Sequence, residues 1–133
     1  MDSDKHKVYL SIGSNHENCS AFVQQAAERL KSTLSDWKMC HPYKTKAING
    51  LGADYLNAVA VGNWLGDKES LNKICKSIEL DLGRTHDRMS HSVEIDIDIV
   101  CFDGEVLRPV DYSREYFSKG FNELLKIVER IIL

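Results

Sequence analysis

The segment Val93–Val100, VEIDIDIV, alternates acidic and aliphatic residues for three periods. A period of two places Ile95, Ile97 and Ile99 on one face of an extended strand and Glu94, Asp96 and Asp98 on the other; on a helix these residues would scatter round the axis. The isoleucine face must be buried, so the chain requires a sheet with a second layer covering it. The acidic face is harder to place, because alternate side chains lie only about 6–7 Å apart along a strand and Asp is a poor strand former. Two readings offset that cost. One is a wet sheet face; the other is a bound divalent cation such as Mg2+, held by one or two carboxylates while phosphates and waters complete its octahedron. The alternation alone leaves both open.

The remaining pattern supplies the other elements. Lys7–Ile12 (KVYLSI) reads as a strand ended by Gly13, Ser14 and Asn15, where glycine permits a tight turn and the polar pair can position backbone. Val23, Ala27, Leu30 and Leu34 fall at helical spacing, with Ser20 as a plausible N-cap. WKMCHPYKTK reads as one strand with Trp37, Met39, His41, Tyr43 and Thr45 on a shared face, and Asp54–Trp64 as another with Tyr55 and Asn57 facing the same way. Leu71, Ile74, Cys75, Ile78 and Leu82 form the stripe of a second helix capped by Asp67 and ended by Gly83, with Glu79 at the border of the stripe. After the acidic strand, Asp103-Gly104 predicts a hairpin and Asn122–Leu133 a final helix. Two loops, Ala47–Ala53 and Thr85–Ser92, would flank a cleft and are expected to be mobile without ligand. The order βαββαβ predicts a ferredoxin-like α+β sandwich whose helices cover one sheet face, with an added hairpin and C-terminal helix.

At 133 residues with 43% hydrophobic content, the chain predicts a single domain spanning 1–133. A net charge of -3 lacks the basic excess of a nucleic-acid binder, and no apolar run reaches membrane-spanning length, so neither partner is expected. Nor does the N-terminus carry the apolar run of a signal peptide, which predicts a cytoplasmic protein. Cys19, Cys40, Cys75 and Cys101 form no CxxC pair and read as reduced core residues rather than a zinc site.

SIGSN after the first strand, DYLNAVAV on the third, IELDLGR closing the second helix and EIDIDIV on the fourth resemble, in this order and spacing, the 6-hydroxymethyl-7,8-dihydropterin pyrophosphokinase family. The similarity covers Val8 to Phe121, and the combination is what is specific. The resemblance implies pyrophosphate transfer from ATP to the pterin in folate biosynthesis, with release of AMP and two Mg2+ ions held by Asp96 and Asp98. It also implies a pterin site from Thr45, Tyr55, Asn57 and a stacking Phe121, with Glu79 near the adenine and Arg84 near the phosphates and the reacting centre. A monomer acting on these small molecules is expected.

The chain departs from the family where the nucleotide is gripped. Ser90, His91, Ser92 and Val93 stand where the family places a Trp and a GPR segment, Tyr112 and Ser113 replace Pro-His, Lys119 replaces an Arg, and Lys76 stands for a common glutamine. Arg88, Arg108, Lys119, Arg114 and His91 are the cations available to take over the phosphates. The alternatives are a weak or inactive homologue that binds pterin or nucleotide without turnover, and an unrelated interaction module.

Overall fold

The computed structural model of the chain describes residues 5–48, 50–84 and 91–132, with side chains as far as residue 127. In chain order its elements are β1 (His6–Ser14), α1 (Cys19–Thr33), β2 (Ser35–Met39), β3 (Tyr43–Thr45), β4 (Tyr55–Trp64), α2 (Lys68–Asp81), β5 (Asp96–Phe102), β6 (Glu105–Val106), α3 (Pro109–Ser113) and α4 (Glu115–Ile132). The strands form one antiparallel sheet in the order β2-β4-β1-β5-β6, and β3 also pairs with β4.

The α1 and α2 helices lay their apolar stripes against the sheet, where Leu30, Leu71 and Ile78 join Leu10, Ile12 and Ile97 in a fully buried core. The opposite face is not left to water. Along it, α4 packs so closely that a Cβ at Gly120 would lie 2.7 Å from Val59 Cγ2 and 2.8 Å from Cys40 Sγ. Phe121 meets Tyr9 edge-on at 4.8 Å and stacks on Phe117 at 5.3 Å. The helices therefore lie on both faces, not one, which is why β1 and β4 read as near-continuous buried runs. Because α4 shields only part of its face, the end of the sheet carrying Gly13, Asn57 and Asp96 remains open.

Helix ends follow their local chemistry. Asp67 caps α2 by accepting the Ser70 N–H at 2.8 Å. At the other end Gly83, with φ +93°, lets Gly83 N–H donate to Leu80 C=O and Arg84 N–H to Glu79 C=O, a Schellman closure that returns Arg84 beside Glu79. Asp103 and Gly104 both have positive φ, the backbone of a type I′ turn, and β6 forms as predicted.

Several boundaries differ from the sequence reading. Helix α1 begins at Cys19, ahead of the expected Ser20 cap, because His16 turns the chain early: its C=O accepts from Cys19 N–H and its Nδ1 from Asn18 N–H. The single strand expected from Trp37 to Lys46 is two strands broken at Cys40–Pro42, where proline lacks a donor. The break also changes face: Met39 is paired with Ala60, in phase with the α1 side, whereas Tyr43 pairs with Asn57 on the open side. The C-terminal helix starts seven residues earlier than Asn122, at Glu115, and α3 precedes it. All four cysteines are free and buried, and burial pushes the Cys75 thiol up to about 12. No helix among the described residues is long and apolar enough to cross a membrane.

Candidate active site

Cross-strand register assembles the open end of the sheet. Asp96 lies opposite Gly13 and Asp98 opposite Ser11; Gly13 lies opposite Asn57; and β3 sets Tyr43 against Asn57 and Thr45 against Tyr55. With a period of two, the side chains of Thr45, Tyr55, Asn57, Asp96 and Asp98 all emerge on one face. They line a cleft of about 420 Å3 with Arg108. Residues the sequence did not single out for it also enter: Ser11 and Gly13 on the floor, Lys46 from the loop, Asp111 from α3 and Tyr116 from α4.

Asn57 is buried, and its amide is half committed. Nδ2 donates to Thr45 Oγ1 at 2.8 Å and to the carbonyls of Tyr43 and Tyr55 at 3.3 Å. Since those carbonyls can only accept, the amide orientation is determined, and Oδ1 is left as an acceptor toward Gly13. Burial, followed by the charge of Asp96, raises the Tyr55 phenol above its ordinary value, keeping it a neutral donor.

The two aspartates stand on an exposed strand edge that α2 satisfies. Because β6 pairs only with Cys101 and Phe102, the Ile97 N–H and C=O have no strand partner on that side. Glu79 Oε2 accepts the Ile97 N–H at 2.7 Å and Lys76 Nζ donates to the Ile97 C=O at 3.0 Å. Lys76 and Arg84 hold the carboxylate pair, and Glu79 anchors both cations. Glu79, fully buried, accepts from Lys76 Nζ at 2.9 Å and from Arg84 Nη1 at 3.0 Å. Arg84 Nη1 reaches Asp96 at 2.8 Å, and Lys76 Nζ lies 3.5 Å from Asp98. Burial alone would lower the Lys76 and Arg84 pKa values, yet hydrogen bonds and the charges of Glu79 and the aspartates hold both above their ordinary values. Asp98 remains short of positive charge: burial, then Asp96, pushes its carboxyl up to about 6.

Asn15 ties the cleft's two rims together. Its Nδ2 donates to His91 C=O at 2.7 Å and Ala53 C=O at 3.4 Å, while its Oδ1 accepts the Val93 N–H at 2.5 Å. A Cβ at Gly52 would lie 2.9 Å from His91 O, so the 50–53 turn presses directly on the segment ahead of β5.

Other expected residues lie elsewhere. Phe121 belongs to the aromatic cluster with Phe117, Tyr9 and Tyr112, and the rings lining the cleft among the described residues are Tyr55, Tyr116 and the His91 imidazole. Lys119 sits over the Tyr43 ring at 5.4 Å. Glu94, the first residue of the acidic alternation, precedes β5 and is half-buried, with Oε2 lacking a hydrogen-bond partner among the described residues. Arg88 and most of the second expected loop lie outside the described residues.

Residues 9–126 match the pattern of 7,8-dihydro-6-hydroxymethylpterin-pyrophosphokinase (HPPK). The chain belongs to the HPPK family. Two curated relatives named 2-amino-4-hydroxy-6-hydroxymethyldihydropteridine pyrophosphokinase agree. That of Aquifex aeolicus is 35% identical over 104 residues, covering 76% of this chain and 64% of the relative. That of Methylorubrum extorquens is 30% identical over 101 residues, covering 74% and 64%. The chain thus spans just under two thirds of the length of the HPPK relatives it matches.

The donor set at the cleft fits a divalent cation. Among the described residues no three His, Cys, Asp or Glu side chains converge as a closed metal centre. Asp96 and Asp98 instead offer two carboxylates at the cleft, the number that suits an ion completed by phosphates and water. The raised Asp98 carboxyl marks a pair that additional positive charge would stabilise.

Proposed function

We propose that this chain transfers pyrophosphate from ATP to the hydroxymethyl group of 6-hydroxymethyl-7,8-dihydropterin, releasing AMP, as a step of folate biosynthesis. The observation that carries this reading is one open cleft in which Tyr55 and Asn57 stand two strands from the Asp96–Asp98 pair, with Thr45 on the strand beyond. Membership of the HPPK family supports the substrates. The strand order fits a ferredoxin-like βαββαβ core extended by β6, α3 and α4, which we take as one domain over 1–133 acting as a monomer.

In this reading the pterin edge donates to Asn57 Oδ1 and its ring lies against Tyr55, while Thr45 fixes the amide. Arg84 and Arg108 supply charge for the nucleotide phosphates, and Glu79 acts through Lys76 and Arg84. The substrate hydroxyl oxygen forms its bond to the β-phosphorus as the bridge to the α-phosphorus breaks; AMP takes the electron pair and the hydroxyl proton leaves to water. Two Mg2+ ions held by Asp96 and Asp98 would neutralise the phosphate oxygens and ease the departure of AMP. The test is product analysis after incubation with ATP, Mg2+ and the pterin: AMP and the pterin diphosphate in equal amounts are expected. ADP with a pterin monophosphate, or AMP formed equally without pterin, would overturn the proposal.

A further inference from the structure

A third carboxylate, Asp111, lines a cleft that we read as receiving a polyanion, and in isolation it would repel that ligand. Both of its oxygens are taken. Oδ2 accepts from Arg108 Nε and Oδ1 from the Tyr116 hydroxyl. A guanidinium clamped through Nε keeps its two terminal nitrogens for something else. Arg108 Nη1 points back over the aspartate pair, 3.9 Å from Asp98 Oδ1, outside hydrogen-bond range. Its backbone is equally constrained: Leu107 N–H donates to Val100 C=O at 2.8 Å, and Pro109 follows as the first residue of α3. The Asp111 hydrogen bond, ahead of the opposing effect of burial, raises the Arg108 pKa, so the charge is permanent.

We propose that Asp111 and Tyr116 are positioning residues that aim the Arg108 fork at the nucleotide phosphates, supplying the bidentate grip that Val93 cannot. Tyr116 is well placed for this, because its own carbonyl accepts from the Tyr43 hydroxyl at 2.5 Å, anchoring the start of α4 to the sheet. A side chain held in one rotamer by a carboxylate loses less freedom on binding than a free arginine. The carboxylate's negative charge therefore acts through geometry and not through repulsion.

This inference rests on the pyrophosphokinase reading, and its test separates the two. Calorimetry with Mg2+ and α,β-methylene-ATP measures nucleotide affinity, and quenching of intrinsic fluorescence measures the pterin. Asp111→Asn is expected to weaken the nucleotide about tenfold and Tyr116→Phe about threefold, with pterin affinity within about twofold of wild type. In an Arg108→Gln background, Asp111→Asn should add little, because the group it aims is gone. If Asp111→Asn leaves nucleotide affinity unchanged or tightens it, Asp111 is merely a negative charge in the cleft and the proposal fails, with the enzyme reading intact. A wild-type chain that binds no nucleotide overturns both. Should Asp111→Asn unfold, Tyr116→Phe decides alone.

Discussion

Replacing Glu79 with Gln keeps the size and removes one charge from the cluster behind the aspartates. A Gln can present its oxygen where Oε2 now accepts from Ile97 N–H and Lys76, but its NH2 then faces Arg84, donor against donor, at a contact now 3.0 Å long. One charge-assisted bond, about 1.5–3 kcal/mol, is lost and a second is weakened. Removing one partner from a buried ion pair costs about 3–5 kcal/mol. The lower end applies here, because Arg84 retains Asp96 and Lys76 retains Asp98 and the Ile97 carbonyl. At about 3 kcal/mol, and about 3–5 °C per kcal/mol for a chain of this length, Tm should fall by about 10 °C. Calorimetric melting beside the exposed control Glu28→Gln, expected within about 0.5 kcal/mol of wild type, makes the measurement. A Glu79→Gln melt indistinguishable from that control would refute the claim that Glu79 fastens the open edge of β5.

Three further outcomes follow from the same geometry. Asn15→Ala strands the His91 carbonyl and the Val93 N–H, so about 2–4 kcal/mol of stability should be lost, with faster amide exchange at Val93 than at Leu10 in the core. Gly13→Ala places its Cβ 3.4 Å from Asn57 Oδ1 and 3.6 Å from Tyr55, an ordinary contact, so Tm should hold while pterin affinity falls about tenfold as the acceptor is covered. Asp98 has a folded pKa above its unfolded value, so its contribution is fully present below pH 3.8 and is lost as pH rises through about 6. In metal-free protein, Asp98→Asn should therefore match wild-type stability at pH 4 and exceed it at pH 7; equal stabilities at both would remove the basis for the shift.

The regular elements were readable in the sequence because each shows one clear period over enough residues: the DIDIV part of VEIDIDIV for β5, which starts at Asp96 and not Val93, Leu71 to Leu82 for α2, Asp103-Gly104 for the hairpin. Legibility failed where two influences competed. Pro42 split one apparent strand into two and turned its second half to the other face. Phe117, Phe121 and Leu124 carry a helical stripe, but Gly120 within it conceals that α4 begins at Glu115; glycine is there because the sheet lies too close for a Cβ. Strand parity put Tyr55 with Asn57 on one face and Asp96 with Asp98 on another, but it was the family resemblance, and then the cross-strand register, that joined the two pairs in one site. The burial of Glu79 could not be read, since it depends on Ile97, Lys76 and Arg84 converging from separate elements. Asp111 and Tyr116 straddle the corner between α3 and α4 and follow no period at all.

The most direct test of the account is AMP release from ATP and Mg2+, with and without 6-hydroxymethyl-7,8-dihydropterin, by wild type and by an Asp96→Asn, Asp98→Asn double variant. The account predicts pterin-dependent AMP from wild type and a loss of at least about a thousandfold in the double variant, which should still bind pterin through Tyr55 and Asn57. Pterin-dependent AMP at comparable rates from both proteins would contradict it.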